Sequence, residues 1–199
     1  MAAKYPAIQQ ELFEELTSAF GDVGGITLRD GAMNKIPKFR AFIHEVMRIY
    51  PPAYSATFRE MMHDDFKIEC KDGVYDVPKG TTMFMNMMMI HYNPKWWVKN
   101  YDEKNKEHQA IDMKEVHFDF WLDEDGKFNK NAVSFLTFSR GKRDCVGQSL
   151  AMKELYIVLA MTFLKYEVCG PNGDDDFEIK INTSIIMEPK PDAITLKIR

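Results

Sequence analysis

Disulfide frameworks, membrane spans and basic stripes are all missing from this 199-residue chain. Its three cysteines, Cys70, Cys145 and Cys169, are odd in number and widely spaced, which argues against a disulfide framework and indicates a reducing compartment. No apolar run reaches the roughly 18 residues of a transmembrane helix, and the N-terminus is too polar for a signal peptide. The net charge is −4, which argues against nucleic acid as a partner. We expect an intracellular protein with no membrane segment in this chain; a longer form could still be membrane-associated.

Proline and glycine predict where three helices begin and end. The first helix should start at Pro6 and stop at Gly21, and the second should start near Pro37 and end before Pro51. A third helix is predicted from Leu150 to Val168. Because it is apolar on nearly all sides, we expect it to be the central buried helix.

Short strands are predicted between and after the helices. The segment "FKIECKDGVYDVPKGTTMFMNM" predicts strands joined by turns at Asp72-Gly73 and Lys79-Gly80. Residues 99–114 are mostly polar and predict a solvated loop. The C-terminal part predicts strands over 177–187 and 193–198 and a turn, not a metal site, at 174–176. The predicted fold class is therefore α+β, mainly α-helical, with small β-sheets.

The stretch "FSRGKRDCVGQSLAMKEL" holds the residues with the clearest chemical meaning. Cys145 lies between two glycines just before a helix, so it is either an inert buried cysteine or a thiolate ligand. One cysteine cannot complete a zinc site, whereas iron in a macrocycle needs one protein ligand. Gly141 would permit a tight turn, and Gly147 would let the backbone approach a flat ring. Arg143 could pair with a propionate, and Phe138 could shield the sulfur.

Five positions in this stretch, Phe138, Gly141, Arg143, Cys145 and Gly147, resemble the signature F-x-x-G-x-R-x-C-x-G of the cytochrome P450 family. The resemblance implies haem b as cofactor, Cys145 as the axial ligand of its iron, and no catalytic side chain beyond the haem. It also implies a haem-thiolate monooxygenase, an oxidoreductase that inserts oxygen from O₂ into an organic, apolar substrate. Electrons would come from a reductase or a ferredoxin.

Other segments agree with this family along nearly the whole chain. Glu45 and Arg48, in "HEVMRIYPP", resemble the structural pair of the family's E-x-x-R helix; the alternative is a solvated surface pair. Arg59 resembles the arginine that reaches a haem propionate, or is an ordinary surface arginine. We interpret His91, in "IHYNPKWW", as a structural hydrogen-bonding group and not as an iron ligand.

Two departures from the family pattern matter. Phe120 stands where the resemblance predicts an arginine near Glu45, and His117 or a lysine of the preceding loop could substitute for it. The acid and alcohol residues of the family's distal helix are also missing. We therefore expect residues 1–199 to be a partial domain, the C-terminal, proximal part of the P450 fold, with the distal helix and the N-terminal half absent.

This leaves three functional hypotheses: a monooxygenase represented by a truncated chain, a haem-binding remnant without turnover, and a haem-thiolate isomerase or peroxygenase. The surroundings of Cys145 suggest a partner as well. They carry four cations that could attract an acidic electron donor or form a plain solvated rim: Arg140, Lys142, Arg143 and Lys153. We expect poor solubility or weak haem retention from the chain alone.

Overall fold

Two long helices near the N-terminus and one after residue 147 flank a middle region rich in turns and short strands, and further strands follow the last helix. The computed structural model describes residues 1–29, 31–54, 57–129, 134–173, 177–179, 181–183, 186–190 and 194–199. The described helices are α1 (Pro6–Phe20), α2 (Pro37–Ile49), α3 (Met87–His91), α4 (Lys106–Gln109) and α5 (Gln148–Lys165). The strands are β1 (Thr57–Glu60), β2 (Phe66–Cys70), β3 (Gly73–Val77), β4 (Thr82–Met85), β5 (Tyr166–Cys169), β6 (Ile181–Thr183), β7 (Met187–Pro189) and β8 (Thr195–Ile198).

The first two helices begin and end where proline and glycine predict. Pro6 and Pro37 occupy the first positions of α1 and α2, and Gly21 ends α1 with a positive φ of 76°. The residue before α2 offers no side-chain cap. Instead the Glu15 carboxylate, from α1, accepts the N–H groups of Lys38 and Phe39 at 3.0 and 2.7 Å. A long-range contact thus caps α2 and joins it to α1.

All strand pairing in the described residues is antiparallel and two-stranded: β1 with β4, β2 with β3, β5 with β8, and β6 with β7. The predicted turn at Asp72-Gly73 is confirmed, because Cys70 pairs with Gly73 across the β2–β3 hairpin. Small antiparallel sheets beside helices agree with the predicted α+β class.

The C-terminal strands differ from the prediction. The single strand expected over 177–187 is wrong, because Ile181–Thr183 and Met187–Pro189 form the two arms of a hairpin, with Thr183 opposite Met187. β8 pairs with Tyr166–Cys169, which we had predicted as the end of the last helix. The partner of that strand is distant in sequence, so local apolar character could not reveal it. The predicted turn at 174–176 lies outside the described residues, as does residue 193.

The helices enclose two adjoining cores. The larger core joins one face of α2 to α1 and α5, and its buried members include Leu12, Leu16, Phe39, Phe42, Ala160 and Phe163. The smaller core is aromatic and lies on the other side of α2, with Ala41, Trp97, Met113 and Trp121 buried. Met113 belongs to the 99–114 segment, so that segment is not wholly a solvated loop; it also contains α4.

The central buried helix is α2, which corrects the prediction for the last helix. Nine of the 13 residues of α2 are buried, whereas only Ala160 and Phe163 are buried in α5. On the outer face of α5, Leu150 and Val158 are 62% and 58% exposed. The apolar composition of α5 is as predicted, but within the described ranges only one side of it is covered. No helix in those ranges combines the length and apolar character that crossing a bilayer requires.

Candidate functional site

The loop that carries Cys145 is held by short-range backbone hydrogen bonds. Ser139 N–H donates to the Leu136 carbonyl at 2.7 Å, and Cys145 N–H donates to the Phe138 carbonyl at 2.8 Å. Two residues of the loop have a left-handed backbone, Ser139 with φ 62° and Gly141 with φ 85°. Glycine adopts this conformation without strain, which agrees with the predicted tight turn. A serine in this region is unusual, and such strain is found most often at functional sites.

The Cys145 thiol is exposed at the start of α5. Its exposure contradicts the alternative that Cys145 is an inert buried residue. α5 begins at Gln148, whose N–H donates to the Cys145 carbonyl at 3.2 Å. Gly147 has φ −83° and ψ −2°, a conformation that any residue adopts. A Cβ at Gly147 would lie 3.8 Å from the Cys145 Sγ, so the glycine keeps the space beside the sulfur clear.

Phe138 and Arg143 contribute to the loop in different ways. The Phe138 ring is half-buried, packs against the larger core, and meets Phe135 edge-to-face with centroids 6.3 Å apart. Its backbone carbonyl accepts the Cys145 N–H. Shielding of the sulfur by the Phe138 ring stays a prediction. The Arg143 side chain is exposed and, among the described residues, forms no ion pair, as expected of a cation available to an external anion.

Glu45 and Arg48 form a fully buried ion pair on α2. The Arg48 Nε and Nη2 donate to the two Glu45 carboxylate oxygens at 2.8 and 2.7 Å, and both side chains are 0% exposed. Two parallel bonds fix the planes of both groups. Burying such a pair is costly unless its remaining donors and acceptors are also satisfied.

Those remaining bonds come from four places in the chain. Glu45 accepts the Trp121 indole N–H at 2.8 Å and the His117 backbone N–H at 2.8 Å. Arg48 Nη1 donates to the His91 carbonyl at 2.9 Å, and Nη2 donates to the Glu115 carbonyl at 3.3 Å. The pair is therefore satisfied by neutral donors and acceptors.

The missing arginine at Phe120 is explained by this arrangement. The Phe120 and Trp97 rings each lie 5.5 Å from the Arg48 guanidinium carbon, so aromatic faces surround the cation. His117 does substitute for the arginine, but through its backbone N–H and not through its imidazole. The indole of Trp121 was missed as a donor. A buried tryptophan beside a carboxylate could have suggested it, since an indole N–H needs a partner.

His91 is buried behind the cysteine loop. Its Nδ1 is 3.0 Å from the Arg48 carbonyl, and its Nε2 accepts the Leu136 N–H at 3.0 Å. A carbonyl can only accept and an amide can only donate, so the ring is neutral with its proton on Nδ1. Burial lowers the pKa of His91 from 6.5 to about 4, and the nearby Arg48 charge acts in the same direction. The interpretation of His91 as a structural hydrogen-bonding group is confirmed.

Arg59 lies on β1, opposite Met83, with an exposed side chain. Its Nη1 donates to the Phe58 carbonyl at 2.9 Å. No hydrogen bond from it to the cysteine loop occurs in the part of the chain that the structure describes. Its predicted contact with a propionate stays a prediction.

The donors present fit a haem iron. In the described ranges no group of three or more His, Cys, Asp and Glu side chains could enclose a metal ion, so Cys145 is a lone soft donor. A porphyrin supplies the in-plane ligands of its iron, so a single exposed thiolate is enough from the protein. The clear space beside Gly147 and the available Arg143 cation suit a flat ring with acidic substituents.

The model of the cytochrome P450 family matches residues 2–196 of this chain. The chain belongs to the cytochrome P450 family. P450 enzymes hold their haem iron through a cysteine thiolate and act as monooxygenases, so haem and oxidoreductase chemistry follow at the level of the family. The matched range covers both the cysteine loop and the buried pair on α2.

Relatives of this P450 chain are found in both animals and plants. Steroid 17-alpha-hydroxylase/17,20 lyase of Squalus acanthias is 30% identical over 98% of the chain. Cytochrome P450 2J5 of Mus musculus is 29% identical over 94%, and cytochrome P450 4F11 of Homo sapiens is 28% identical over 83%. The chain spans 28–35% of the length of these relatives.

Proposed function

We propose that this chain forms the thiolate side of a P450 haem site, with Cys145 as the axial ligand of haem b. The observation that carries the proposal is the exposed Cys145 thiol, on a hydrogen-bonded loop at the N-terminal end of an 18-residue helix. The loop brings this thiol to the end of α5 where backbone N–H groups have no partner within the helix. We propose further that the 199 residues are the proximal part of the P450 fold.

The other predicted residues would act around that sulfur. Gly141 allows the turn and Gly147 leaves room for the ring plane, while Phe138 anchors the loop to the core. Arg143 and Arg59 carry exposed guanidinium groups that would pair with the propionates. Glu45 and Arg48 would hold the scaffold behind the loop and take no part in proton transfer.

The proposed reaction is insertion of oxygen from O₂ into an organic substrate, with electrons from a reductase or ferredoxin. The bound haem would supply the oxygen chemistry, which thiolate ligation favours. The chain's own contribution is to orient the sulfur and to keep it in a fixed loop. Free thiols at all three cysteines support a reducing compartment.

The decisive experiment is the absorption spectrum of the reduced, carbon-monoxide-bound protein. A thiolate opposite carbon monoxide shifts the main band strongly to the red, and we expect that band from the wild type. Cys145→Ala should abolish it, whereas Cys70→Ala, which removes another exposed thiol, should not. A red-shifted band that survives Cys145→Ala would refute the ligand assignment.

A second experiment separates the three functional hypotheses once the band is seen. Turnover that depends on a reduced nicotinamide and a reductase supports a monooxygenase. Turnover with peroxide alone, or rearrangement without net oxidation, supports the third hypothesis. Haem binding without any turnover supports a remnant.

We also propose that an acidic electron donor docks beside the cysteine loop. The side chains of Arg140, Lys142, Arg143 and Lys153 are exposed and form no ion pair within the described residues, on a chain that is acidic overall. Arg140→Glu with Lys142→Glu should slow reduction by the donor at low salt, and salt should remove the difference. The control is Lys127→Glu, beside the isolated β-bridge between Leu122 and Phe128. Reduction rates that change with neither the substitutions nor the salt concentration would contradict docking.

A further inference from the structure

One buried imidazole connects the C-terminal end of α2 to the cysteine loop. The Arg48 carbonyl belongs to the last turn of α2, where carbonyls have no partner within the helix. His91 Nδ1–H donates to this carbonyl, and His91 Nε2 accepts the N–H of Leu136. Because the ring is rigid, the distance between α2 and Leu136 is set by the width of an imidazole.

From Leu136 the connection continues to the sulfur-bearing residue. The Leu136 carbonyl accepts the Ser139 N–H, and the Phe138 carbonyl accepts the Cys145 N–H. The Phe135 ring stacks on His91 with centroids 6.0 Å apart and an interplanar angle of 10°. The start of the loop is therefore held by the ring through its nitrogens and its face.

The same ring is locked to the buried ion pair. Arg48 Nη1 donates to the His91 carbonyl at 2.9 Å while the Arg48 carbonyl accepts from the His91 ring. Arg48 and His91 thus hold each other through two separate bonds. The imidazole is 0% exposed, so water cannot replace either bond without opening the core.

We propose that His91 is a positioning residue for Cys145, fixing the place of the cysteine loop above α2 through its two ring nitrogens. The proposal rests on the proposed role of Cys145 as haem ligand. It assigns no contact between His91 and the haem. The expected consequence of losing the ring is a loop that moves while the buried pair and the larger core persist.

Three substitutions at His91 distinguish the contributions of its two ring hydrogen bonds. His91→Phe removes both nitrogens and keeps a ring. His91→Asn keeps an amide near the position of Nδ1, so it can still donate to the Arg48 carbonyl but is too short to reach Leu136. His91→Gln places an amide oxygen near the position of Nε2 and should restore the Leu136 bond. The matched control is His108→Phe, since His108 Nδ1 also accepts a backbone N–H, that of Asp102 in the 99–114 segment.

The first readout is amide hydrogen exchange in the haem-free, full 199-residue chain. We expect His91→Phe and His91→Asn to speed exchange of residues 134–147 by about tenfold, the effect of losing one buried hydrogen bond. Exchange in α1 should change by less than about twofold, and His108→Phe should stay near wild type. His91→Gln, which keeps the Leu136 bond and loses the Arg48 bond, should lie between the wild type and His91→Phe. Exchange that rises equally along the chain, or an Asn variant that matches the Gln variant, would overturn the proposal.

The second readout is the ratio of thiolate-ligated to other haem in the reduced carbon-monoxide spectrum. A residue with only a general structural role would lower the total bound haem and leave this ratio unchanged. We expect the ratio to fall in the Phe and Asn variants and to recover in the Gln variant. If the wild type itself lacks the thiolate band, the proposed function fails, and hydrogen exchange still decides whether His91 holds the loop.

Discussion

The two sides of the described structure differ in how fully their side chains are buried and paired. Around α2, Glu45, Arg48 and His91 find their hydrogen-bond partners within the chain, and all three are 0% exposed. Along the outer face of α5 and the cysteine loop, apolar side chains are open, and Val146 is 103% exposed. The buried network behind Cys145 thus finds its partners within the described residues, whereas the surface that presents the thiol is uncovered and combines apolar side chains with cations. The described residues therefore hold the cysteine loop in place without covering the face that presents the thiol.

The largest effect should come from breaking the buried pair. Glu45→Ala leaves the Arg48 charge, the Trp121 indole and the His117 N–H without their acceptor, so we expect a loss of about 3–5 kcal/mol in the free energy of unfolding. Urea denaturation measures it. The control is Glu11→Ala, which removes an exposed pair with Lys38 at 2.6 Å and should cost less than about 1 kcal/mol. Equal losses in the two variants would mean that burial of the Glu45–Arg48 pair does not raise its contribution to stability.

A fall in pH should lower the free energy of unfolding through His91, which lies beside α2. The pKa of His91 is lowered from 6.5 to about 4 in the folded chain, mainly by burial, so the unfolded chain binds the proton more readily. Its stabilising contribution is complete above pH 6.5 and is lost as the pH falls towards 4, on the order of 3 kcal/mol in total. Urea midpoints between pH 7 and pH 4 measure the slope. His91→Gln, which does not titrate, should show a shallower slope; an unchanged slope would contradict the assignment of the neutral ring.

A smaller loss of stability is expected from substituting Trp121, the hydrogen-bond donor that the sequence analysis did not predict. Trp121→Phe removes the indole N–H from Glu45 and keeps most of the aromatic surface, so we expect a loss of about 2 kcal/mol in unfolding free energy. Trp96→Phe is the matched control, because Trp96 is 56% exposed. It should change stability by less than about 0.5 kcal/mol. If the two tryptophan variants are equally stable, the Glu45–Trp121 hydrogen bond makes no net contribution to stability.

The smallest effect on stability should come from the open face. Leu150→Gln and Val158→Thr replace side chains that are 62% and 58% exposed, so the free energy of unfolding should move by less than about 0.5 kcal/mol. Light scattering should nevertheless show less aggregation, since exposed apolar patches promote association. Leu16→Ala, at a 0% exposed position, should cost about 2–5 kcal/mol. A large loss at Leu150 would show that the outer face of α5 is covered.

Sequence patterns predicted the local features of the fold and not the long-range ones. Pro6, Gly21 and Pro37 mark helix ends because their backbone restrictions act within one turn. The strand at Tyr166–Cys169 was missed because its partner, Thr195–Ile198, is far away in the chain. The covering of α5 was also misjudged, since an apolar helix shows what it can bury and not what lies against it.

The candidate site divides in the same way. The residues of the cysteine loop are neighbours in sequence, so their motif could be seen directly. The bonds that hold the loop join Arg48, His91 and Leu136, which no local pattern connects. Trp121 and the His117 N–H took the place of an expected arginine, because a buried carboxylate needs donors and any correctly placed N–H can serve.

By itself, the sequence determined the family, the ligand candidate Cys145 and the ends of the first two helices. Each of these depends on residue types at short, fixed spacings. The tertiary structure alone decided that α2 is the central helix, that neutral donors complete the Glu45–Arg48 pair, and that His91 links α2 to the cysteine loop. The physical reason is that buried polar groups take partners according to distance in space, and that distance is fixed only when the whole chain has packed.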